Sequence, residues 1–288
     1  MDIIQRYQLA DELFYGIRHI KWPTKAHEPD YVAMLVDALP GIIQSGLTRV
    51  YPGRRISTGG SFIHQKPIVH FLNKPGLKDP ELGDLLIVCR EKRSFGPVYN
   101  AMLLQAKCCD DARYVHIKRD HQFVLYSEWP EFEYKRAGRL NGKRRSVLPK
   151  TLTQGAQYLL IDKNVPYEMF TATVDCPLNG SCCFALSLAS VISFDEGRTF
   201  QADFPRDDWS QMILDLLCIS AVSVFNRRNS GFANANRWNG DIAFNYLLNP
   251  EETESGIEIV LQDHREYEND DYSGISVICI DISEDKER

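Results

Sequence analysis

Apolar positions concentrate in two short segments near the middle of the chain. Residues 81–88 and 100–107 are each strongly apolar, and a charged stretch at residues 89–99 separates them. That stretch contains Gly96-Pro97, which is typical of a turn. The pattern predicts two antiparallel strands joined by a hairpin loop over residues 89–99.

Polar side chains occur at the ends of both predicted strands. Because strand side chains alternate between faces, Gln105 and Lys107 point to the same side of the sheet. A hairpin centred between Ser94 and Phe95 places Asp84 opposite Gln105. Directly opposed residues of an antiparallel pair lie about 4.5–5.5 Å apart at Cβ. The sequence therefore predicts that a carboxylate, an amide and an ammonium group lie together.

Helical periodicity marks three other segments. Residues 1–22, 30–46 and 208–225 repeat apolar side chains at the spacing of an amphipathic helix. Asp30 is placed to cap the second helix, which is expected to end near Gly46 or earlier, at Pro40-Gly41. The third segment is the clearest helix in the second half of the chain.

The remaining segments predict strands, turns and one irregular region. Residues 57–60 contain two glycines and indicate a turn, and residues 152–162 predict a helix leading into a strand. Residues 127–150 are basic and indicate irregular structure. Strands are expected at residues 61–72, 116–126, 256–261 and 274–281.

The three polar side chains suit a divalent cation and a phosphodiester. Mg²⁺ prefers hard oxygen ligands and commonly uses one or two carboxylates, with substrate phosphate and water completing its shell. Asp84 offers a carboxylate and Gln105 an amide oxygen, so both are predicted ligands of Mg²⁺, or of Mn²⁺ in its place. Lys107 is a compact cation that can orient the attacking water and offset charge on the phosphate. A structural explanation stays open, in which Asp84 and Lys107 meet solvent or form a surface ion pair worth about 0–1 kcal/mol.

These residues resemble the core motif of the PD-(D/E)xK, or restriction-endonuclease-like, nuclease superfamily. That motif has an acidic residue on one strand and, on the next strand, an acidic residue or Gln, any residue, and Lys. Asp84 matches the first element. Gln105 and Lys107 match the Gln variant of the second, and the resemblance covers roughly residues 30–165.

The resemblance also implies features outside the motif. The superfamily often has an acidic residue on an upstream helix, for which Asp37 is the best candidate here and Glu12 the next. A helix followed by a strand is expected after the hairpin, and Gln157 stands where a helical polar residue often points at the site. Separately, His64 lies on a predicted strand beside the hairpin. It would join the site as a base or phosphate contact, or be a hydrogen-bonded structural residue.

A basic segment follows the two motif strands. Seven cations fall within sixteen residues, with Asn141-Gly142 near the middle as in a flexible tip or a hairpin. Such a segment can grip phosphates in a salt-dependent manner, or it can be a solvated loop. Trp129, Phe132 and Tyr134 precede it and would stack on bases or simply pack. The predicted nucleic-acid contacts are Lys135, Arg136, Arg139, Lys143, Arg144 and Arg145.

Amino-acid composition restricts the classes of protein to which this site can belong. The chain has 288 residues, 44% hydrophobic and 25% charged, as expected of a globular protein with a large core. A net charge of −6 argues against a surface coated in positive charge, but not against a local basic groove. Eight cysteines without C-x-x-C spacing indicate reduced thiols rather than a zinc site. The N-terminus lacks a signal pattern, so we expect a cytoplasmic protein without membrane association.

Together these observations predict an α/β (α+β) fold with a restriction-endonuclease-like mixed central sheet flanked by helices. Residues 1–170 would form the nuclease core, and residues 171–288 a C-terminal α+β extension packed on it, unless the chain is a single domain. The resemblance implies a metal-dependent endonuclease of bacterial restriction or anti-phage defence. It would cleave DNA, with duplex favoured, under the control of a regulatory protein partner, and as a homodimer if both strands are cut. Two alternatives stay open: an inactive nuclease-fold module that binds a partner protein or nucleic acid, and an RNA-cleaving enzyme.

Overall fold

A central mixed sheet with helices on both faces organises the protein. The structure, a computed structural model, describes residues 1–23, 26–63, 67–175, 177–225, 237–239 and 274–284. The predicted class of a mixed α and β fold with a helix-flanked central sheet is confirmed. The helices are α1 (Ile3–Arg18), α2 (Glu28–Val50), α3 (His121–Glu128), α4 (Phe184–Ile192) and α5 (Asp208–Phe225), with a 3-10 turn at Gly138–Leu140.

The strands form one large and two small sheets within the described residues. In chain order they are β1 (Arg54–Phe62), β2 (Val69–Phe71), β3 (Leu85–Arg93), β4 (Gly96–Cys109), β5 (Tyr114–Val115), β6 (Phe132–Tyr134), β7 (Arg144–Arg145), β8 (Ala156–Asp162), β9 (Met169–Ala172), β10 (Leu178–Asn179), β11 (Cys182–Cys183), β12 (Arg198–Phe200), β13 (Arg237–Asn239) and β14 (Ser276–Glu284). The central sheet has the order β11-β9-β8-β4-β3-β14-β1-β13, and β12 also pairs with β4. Strands β2, β6 and β7 form a separate three-stranded sheet, and β5 pairs with β10.

The C-terminal strand lies in the middle of the central sheet. Strand β14 runs parallel to β3 on one side and antiparallel to β1 on the other. The predicted strand at residues 274–281 is therefore confirmed, whereas the predicted strand at 256–261 lies outside the described residues. Residues 171–288 thus contribute a central strand to the sheet of the first half, rather than only packing on it.

Two hydrophobic cores form because side chains alternate between the sheet faces. Helices α1, α2 and α4 cover one face, where they pack against residues such as Leu85 and Leu104. Helices α3 and α5 and the three-stranded sheet cover the opposite face, which includes Leu86 and Leu103. We refer to these as the α1–α2 face and the α3–α5 face.

Helix α2 is longer than the sequence pattern predicts. The predicted helix at residues 30–46 begins two residues earlier and continues to Val50, with Pro40 inside it. Proline cannot donate a hydrogen bond to the carbonyl four residues before it, here that of Val36. Strand β1 crosses at this point, and the Thr58 hydroxyl donates a 2.7 Å hydrogen bond to the Pro40 carbonyl. The helix therefore continues through its proline while the strand docks against it.

The same crossing explains why residues 57–60 form a strand and not the predicted turn. These residues belong to β1, where a Cβ added to Gly60 would lie 2.6 Å from the Val36 carbonyl oxygen. The glycine is needed because helix and strand backbones approach too closely for a side chain. The turn predicted from the two glycines at residues 57–60 is therefore wrong.

Replacement of Gly60 tests this close approach. We expect Gly60→Ala to lower the free energy of unfolding by about 1–3 kcal/mol, because the added methyl group overpacks the crossing. Gly41→Ala in α2 is the control, since nothing lies within 4 Å of the added Cβ. The control should gain about 0.5–1 kcal/mol from helix propensity. Denaturant unfolding of the two variants measures both changes, and equal stabilities would contradict the explanation.

Three further predictions are wrong or incomplete between residues 116 and 162. The predicted strand at residues 116–126 is wrong over its second half, because α3 begins at His121 and Asp120 caps it by accepting from Gln122 N at 3.0 Å. Residues 127–150, predicted to be irregular, contain β6, β7 and the 3-10 turn. Residues 152–162 contain strand β8 but no helix.

One helix meets the length and composition of a membrane span. Among the described residues this is α2, and 56% of its most apolar 18-residue window is buried inside the fold. Core helices of water-soluble folds pass the same test of length and composition, so the observation is weak evidence for a membrane.

Candidate functional site

The β3–β4 hairpin has the register that the sequence predicts. Its pairs run from Leu85 with Leu104 to Arg93 with Gly96, so the turn is centred between Ser94 and Phe95. The strands continue to that turn, and the long hairpin loop expected at residues 89–99 is therefore wrong. The register places Asp84, just before β3, beside Gln105.

The three predicted site residues lie on the α3–α5 face of the sheet. Gln105 and Lys107 alternate with Leu104 and Ala106, which belong to the opposite core. Asp84 reaches the same face, since its carboxylate accepts a hydrogen bond from the Gln105 side chain. The expectation that these three side chains share one side of the sheet is confirmed.

The Asp84 carboxylate is buried and held by two donors. Its Oδ2 atom accepts from Gln105 Nε2 and from the backbone N–H of Ala106 at 2.8 Å. Asp84 is 4% exposed and Gln105 1% exposed. The Gln105 Oε1 atom is buried without a hydrogen-bond partner among the described residues. An acceptor in this state is costly unless a donor or a cation reaches it.

Helix α3 supplies a partner for Lys107. The Lys107 ammonium donates a 2.7 Å hydrogen bond to Gln122 Oε1, in the first turn of α3. Asp120 fixes that turn as its cap. Gln122 was missed because residues 116–126 were assigned to a strand, although Asp120 ahead of an apolar run is a helix-start signal.

Tyr126 lies one turn beyond Gln122 and anchors the backbone that leads to Asp84. Its hydroxyl donates a 2.9 Å hydrogen bond to the Leu82 carbonyl. Burial, followed by the charge of Asp84, raises the pKa of Tyr126 well above its usual value near 10, so the hydroxyl stays a donor. A Cβ on Gly83 would lie 3.0 Å from this hydroxyl and 2.7 Å from Leu103. The approach to Asp84 is therefore closely packed.

Three other candidate residues do not join the site. Glu12 forms a 2.6 Å ion pair with Arg49, and Asp37 belongs to α2, on the opposite side of the sheet. Gln157 is a strand residue of β8 that shares the α1–α2 face with Leu159, so its predicted role is wrong. His64 lies outside the described residues.

The basic segment contains the loop of a hairpin, because β6 and β7 pair antiparallel on either side of Asn141-Gly142, so the hairpin alternative is confirmed. Arg145 is nearly buried and forms an ion pair with Asp215 at 2.5 Å, while Lys135 and Arg144 both pair with Glu133. Arg145 is therefore unsuited to the predicted phosphate contact, because Asp215 already balances its charge inside the protein. The exposed cations Arg136, Arg139 and Lys143 remain on the surface of the segment.

The aromatic residues before this segment are core residues. Trp129, Phe132 and Tyr134 are fully buried. Trp129 stacks on Tyr126 with ring centroids 5.7 Å apart. The alternative that these rings pack is confirmed, and stacking on bases is wrong for all three.

Comparisons with protein-family models, with curated proteins and with solved structures found no match to this chain. The resemblance to the nuclease superfamily therefore depends on Asp84, Gln105 and Lys107 themselves.

The ligand atoms at the site are oxygens, as a hard divalent cation requires, but only two side chains supply them among the described residues. Asp84 offers one carboxylate, and Gln105 offers an amide oxygen that no donor of the described residues satisfies. Two oxygen ligands are sufficient for Mg²⁺ where phosphate and water supply the rest. The described residues contain no group of three or more His, Cys, Asp or Glu side chains placed to hold a metal ion. A third acidic ligand is therefore not found in that part of the chain.

Proposed function

We propose that the protein is a metal-dependent endonuclease that hydrolyses phosphodiester bonds of DNA. The observation that carries the proposal is the convergence of Asp84, Gln105 and Lys107 on one face of two paired strands. Their carboxylate, amide and ammonium groups are the set that this chemistry requires.

Each side chain has a distinct role in this proposal. Asp84 and Gln105 hold the ion, for which the Gln105 amide must present its Oε1 atom instead of Nε2. When bound, Mg²⁺ would polarise the phosphate and lower the pKa of a water molecule. Lys107, positioned by Gln122, orients that water and stabilises the negative charge that develops on the phosphate.

The order of elements supports a restriction-endonuclease-like arrangement. The hairpin of β3 and β4 is followed by helix α3 and then by β8, which runs parallel to β4. A helix and a strand after the hairpin are what the resemblance requires, although the helix occurs earlier in the chain than residues 152–162. By the same resemblance we propose duplex DNA as substrate, a setting in restriction or anti-phage defence, and control by a partner protein.

Metal binding and cleavage together test the proposal. The purified chain should convert supercoiled plasmid to cut forms with Mg²⁺ or Mn²⁺, and chelation should stop the reaction. Asp84→Asn should stop cleavage and weaken Mn²⁺ binding in calorimetry by about tenfold or more, since even residues that only support metal ligands contribute that much. Asp110→Asn is the matched control, because its side chain is 88% exposed at the end of the same hairpin. Cleavage by Asp84→Asn equal to that of the control would exclude the proposed site.

A second candidate function is an inactive nuclease-fold module. The observation that favours it is that the described residues place one carboxylate at the site, that of Asp84, and that this carboxylate is buried. A module of this kind would cut neither plasmid nor single-stranded RNA with any divalent cation, yet it would still bind nucleic acid or a partner protein. Cutting of RNA alone would instead identify the RNA-cleaving alternative.

The exposed cations of the basic segment give a separate prediction. We expect Arg136→Ala/Lys143→Ala to weaken duplex DNA binding and to reduce the slope of log affinity against log salt by about 2, since each phosphate contact contributes about 0.9. Lys21→Ala/Arg55→Ala removes the same charge from exposed positions elsewhere and is the control. Fluorescence anisotropy across a salt series measures both slopes. Unchanged binding by the first variant at low salt would remove this segment from the nucleic-acid surface.

A further inference from the structure

The Gln105 amide is turned the wrong way for a metal ligand. Its Nε2 atom donates a hydrogen bond to the Asp84 carboxylate, and its Oε1 atom is buried without a hydrogen-bond partner among the described residues. The carboxylate dictates this orientation, because a turned amide would bring Oε1 against Asp84 Oδ2, and two acceptors repel each other. A cation between the two oxygens reverses that preference. The amide therefore has one orientation for the metal-free site and another for the occupied site.

Hydrogen bonds stabilise the metal-free orientation, and a cation must break one of them. Asp84 Oδ2 accepts from the Gln105 amide and from the backbone N–H of Ala106 at 2.8 Å. A hydrogen bond to a charged group is stronger than one between neutral groups, so the need to break it lowers the cation affinity by about 10- to 100-fold. The Gln105 side chain thus opposes metal binding in the orientation that the structure shows.

The described ligands compensate a cation poorly for that loss. Among the described residues the site offers one carboxylate, that of Asp84, and the amide oxygen of Gln105 carries no net charge. The affinity for a hard cation depends on the number of charged ligands. Both side chains are also nearly inaccessible to water, at 4 and 1% exposed, and Mg²⁺ gives up its hydration water reluctantly. These two side chains alone therefore hold a divalent cation only weakly.

A substrate phosphate supplies what the two side chains lack. Its oxygens are hard, charged ligands of the kind that completes the shell of Mg²⁺. The turned Gln105 amide also needs a new acceptor for Nε2, since Asp84 no longer accepts that hydrogen bond, and a phosphate oxygen is such an acceptor. One group thus meets both needs, and that group arrives with the nucleic acid.

We propose that Gln105 makes metal binding depend on substrate. The amide holds the Asp84 carboxylate in the free chain and turns over when a cation and a phosphodiester enter together. By linkage, the cation strengthens nucleic-acid binding by the same factor by which nucleic acid strengthens cation binding. The regulation rests on the proposed function, whose site it uses, and it keeps that site unassembled until substrate is present.

The coupling is measured as the ratio of duplex affinities with and without Mn²⁺. Fluorescence anisotropy of a phosphorothioate duplex, which keeps the backbone charge and resists hydrolysis, gives both affinities at constant ionic strength. Mn²⁺ should strengthen binding to the wild-type chain by about tenfold or more. Asp84→Asn should reduce that ratio to about one, because it removes the charged ligand. Asp110→Asn, exposed at the end of the same hairpin, should keep the wild-type ratio.

Gln105→Glu tests the role of the amide directly. It replaces the hydrogen-bond donor by a second carboxylate, so the chain should bind Mn²⁺ without nucleic acid at least about tenfold more tightly than wild type in calorimetry. Gln157→Glu is the matched control, because Gln157 is also a buried strand residue but belongs to the opposite face of the sheet. The control should bind Mn²⁺ as wild type does.

The outcomes distinguish this regulation from the proposed function. The coupling would be overturned by a wild-type ratio below about tenfold, by an equal ratio in Asp84→Asn, or by a folded Gln105→Glu chain that gains no Mn²⁺ affinity. Plasmid cleavage alongside such a result would leave the proposed endonuclease in place without this regulation. A coupling that Asp84→Asn abolishes, in a chain that cuts no nucleic acid, would instead support the coupled site and reject the endonuclease.

Discussion

Replacement of Lys107 by Met is expected to lower the rate of metal-dependent DNA cleavage by about 10²–10³-fold. Removing one preorganised group that stabilises developing charge typically costs that much. Methionine keeps an unbranched apolar stem that is one atom shorter than the lysine side chain, so the packing of β4 against α3 should change little. Single-turnover cleavage of a short duplex measures the effect on the chemical step.

Whether the substitution lowers only the cleavage rate or also metal binding distinguishes a catalytic role of Lys107 from a structural one. Lys107 is not a proposed ligand, so Lys107→Met should bind Mn²⁺ as wild type does, in contrast to Asp84→Asn. Gln122→Leu should reduce the rate less, because it leaves the ammonium in place but removes the 2.7 Å hydrogen bond that orients it. Equal losses of metal binding in the Lys107 and Asp84 variants would indicate disruption of the site instead of loss of a catalytic group.

Much of the β3–β4 hairpin could be predicted because its geometry is set by residues close together in the sequence. Alternation of side chains fixes which residues share a face, and the turn centre between Ser94 and Phe95 fixes which residues are opposite. Asp84, Gln105 and Lys107 could therefore be placed together from sequence. Helix α5, with its continuous apolar pattern, was predicted over its whole length for the same reason.

The rest of the fold depends on contacts between distant segments. Gly60 indicates a turn from its own sequence, but it is required in a strand because α2 passes over it. Gln122 could not be placed without knowing that Asp120 starts a helix, and the position of β14 between β1 and β3 follows from no local pattern. Likewise, Arg145 has the sequence character of a surface cation, and its ion pair with a partner seventy residues later explains why it is nearly buried.

The ion pair between Arg145 and Asp215 gives the second prediction with a large expected effect. Arg145 Nε and a terminal nitrogen donate to Asp215 Oδ2 at 2.8 and 2.5 Å, and the two side chains are 14 and 6% exposed. The pair ties β7 of the three-stranded sheet to α5. Arg145→Met should lower the free energy of unfolding by about 3–5 kcal/mol at pH 8, because it leaves the Asp215 carboxylate buried without its counter-charge.

The pH dependence of that loss has a definite sign. Burial raises the pKa of Asp215, and Arg145 is the main group that opposes the rise. Without Arg145, the folded chain holds a proton on Asp215 more tightly than the unfolded chain, whose Asp pKa is about 4. The destabilisation of Arg145→Met should therefore be small near pH 4 and grow as the pH rises toward the pKa of the folded state.

Two further variants distinguish the stability lost with this ion pair from the stability lost when any cation is removed. Arg145→Met/Asp215→Leu should regain most of the lost stability, because an apolar pair carries no unpaired buried charge. Arg144→Met removes the neighbouring exposed cation and should change stability by less than about 1 kcal/mol. If Arg145→Met instead proved as mild as Arg144→Met at every pH, Asp215 would have to be solvated or neutral in the folded protein. Arg145 would then be available to phosphate after all, and its assignment to the nucleic-acid surface would have to be restored.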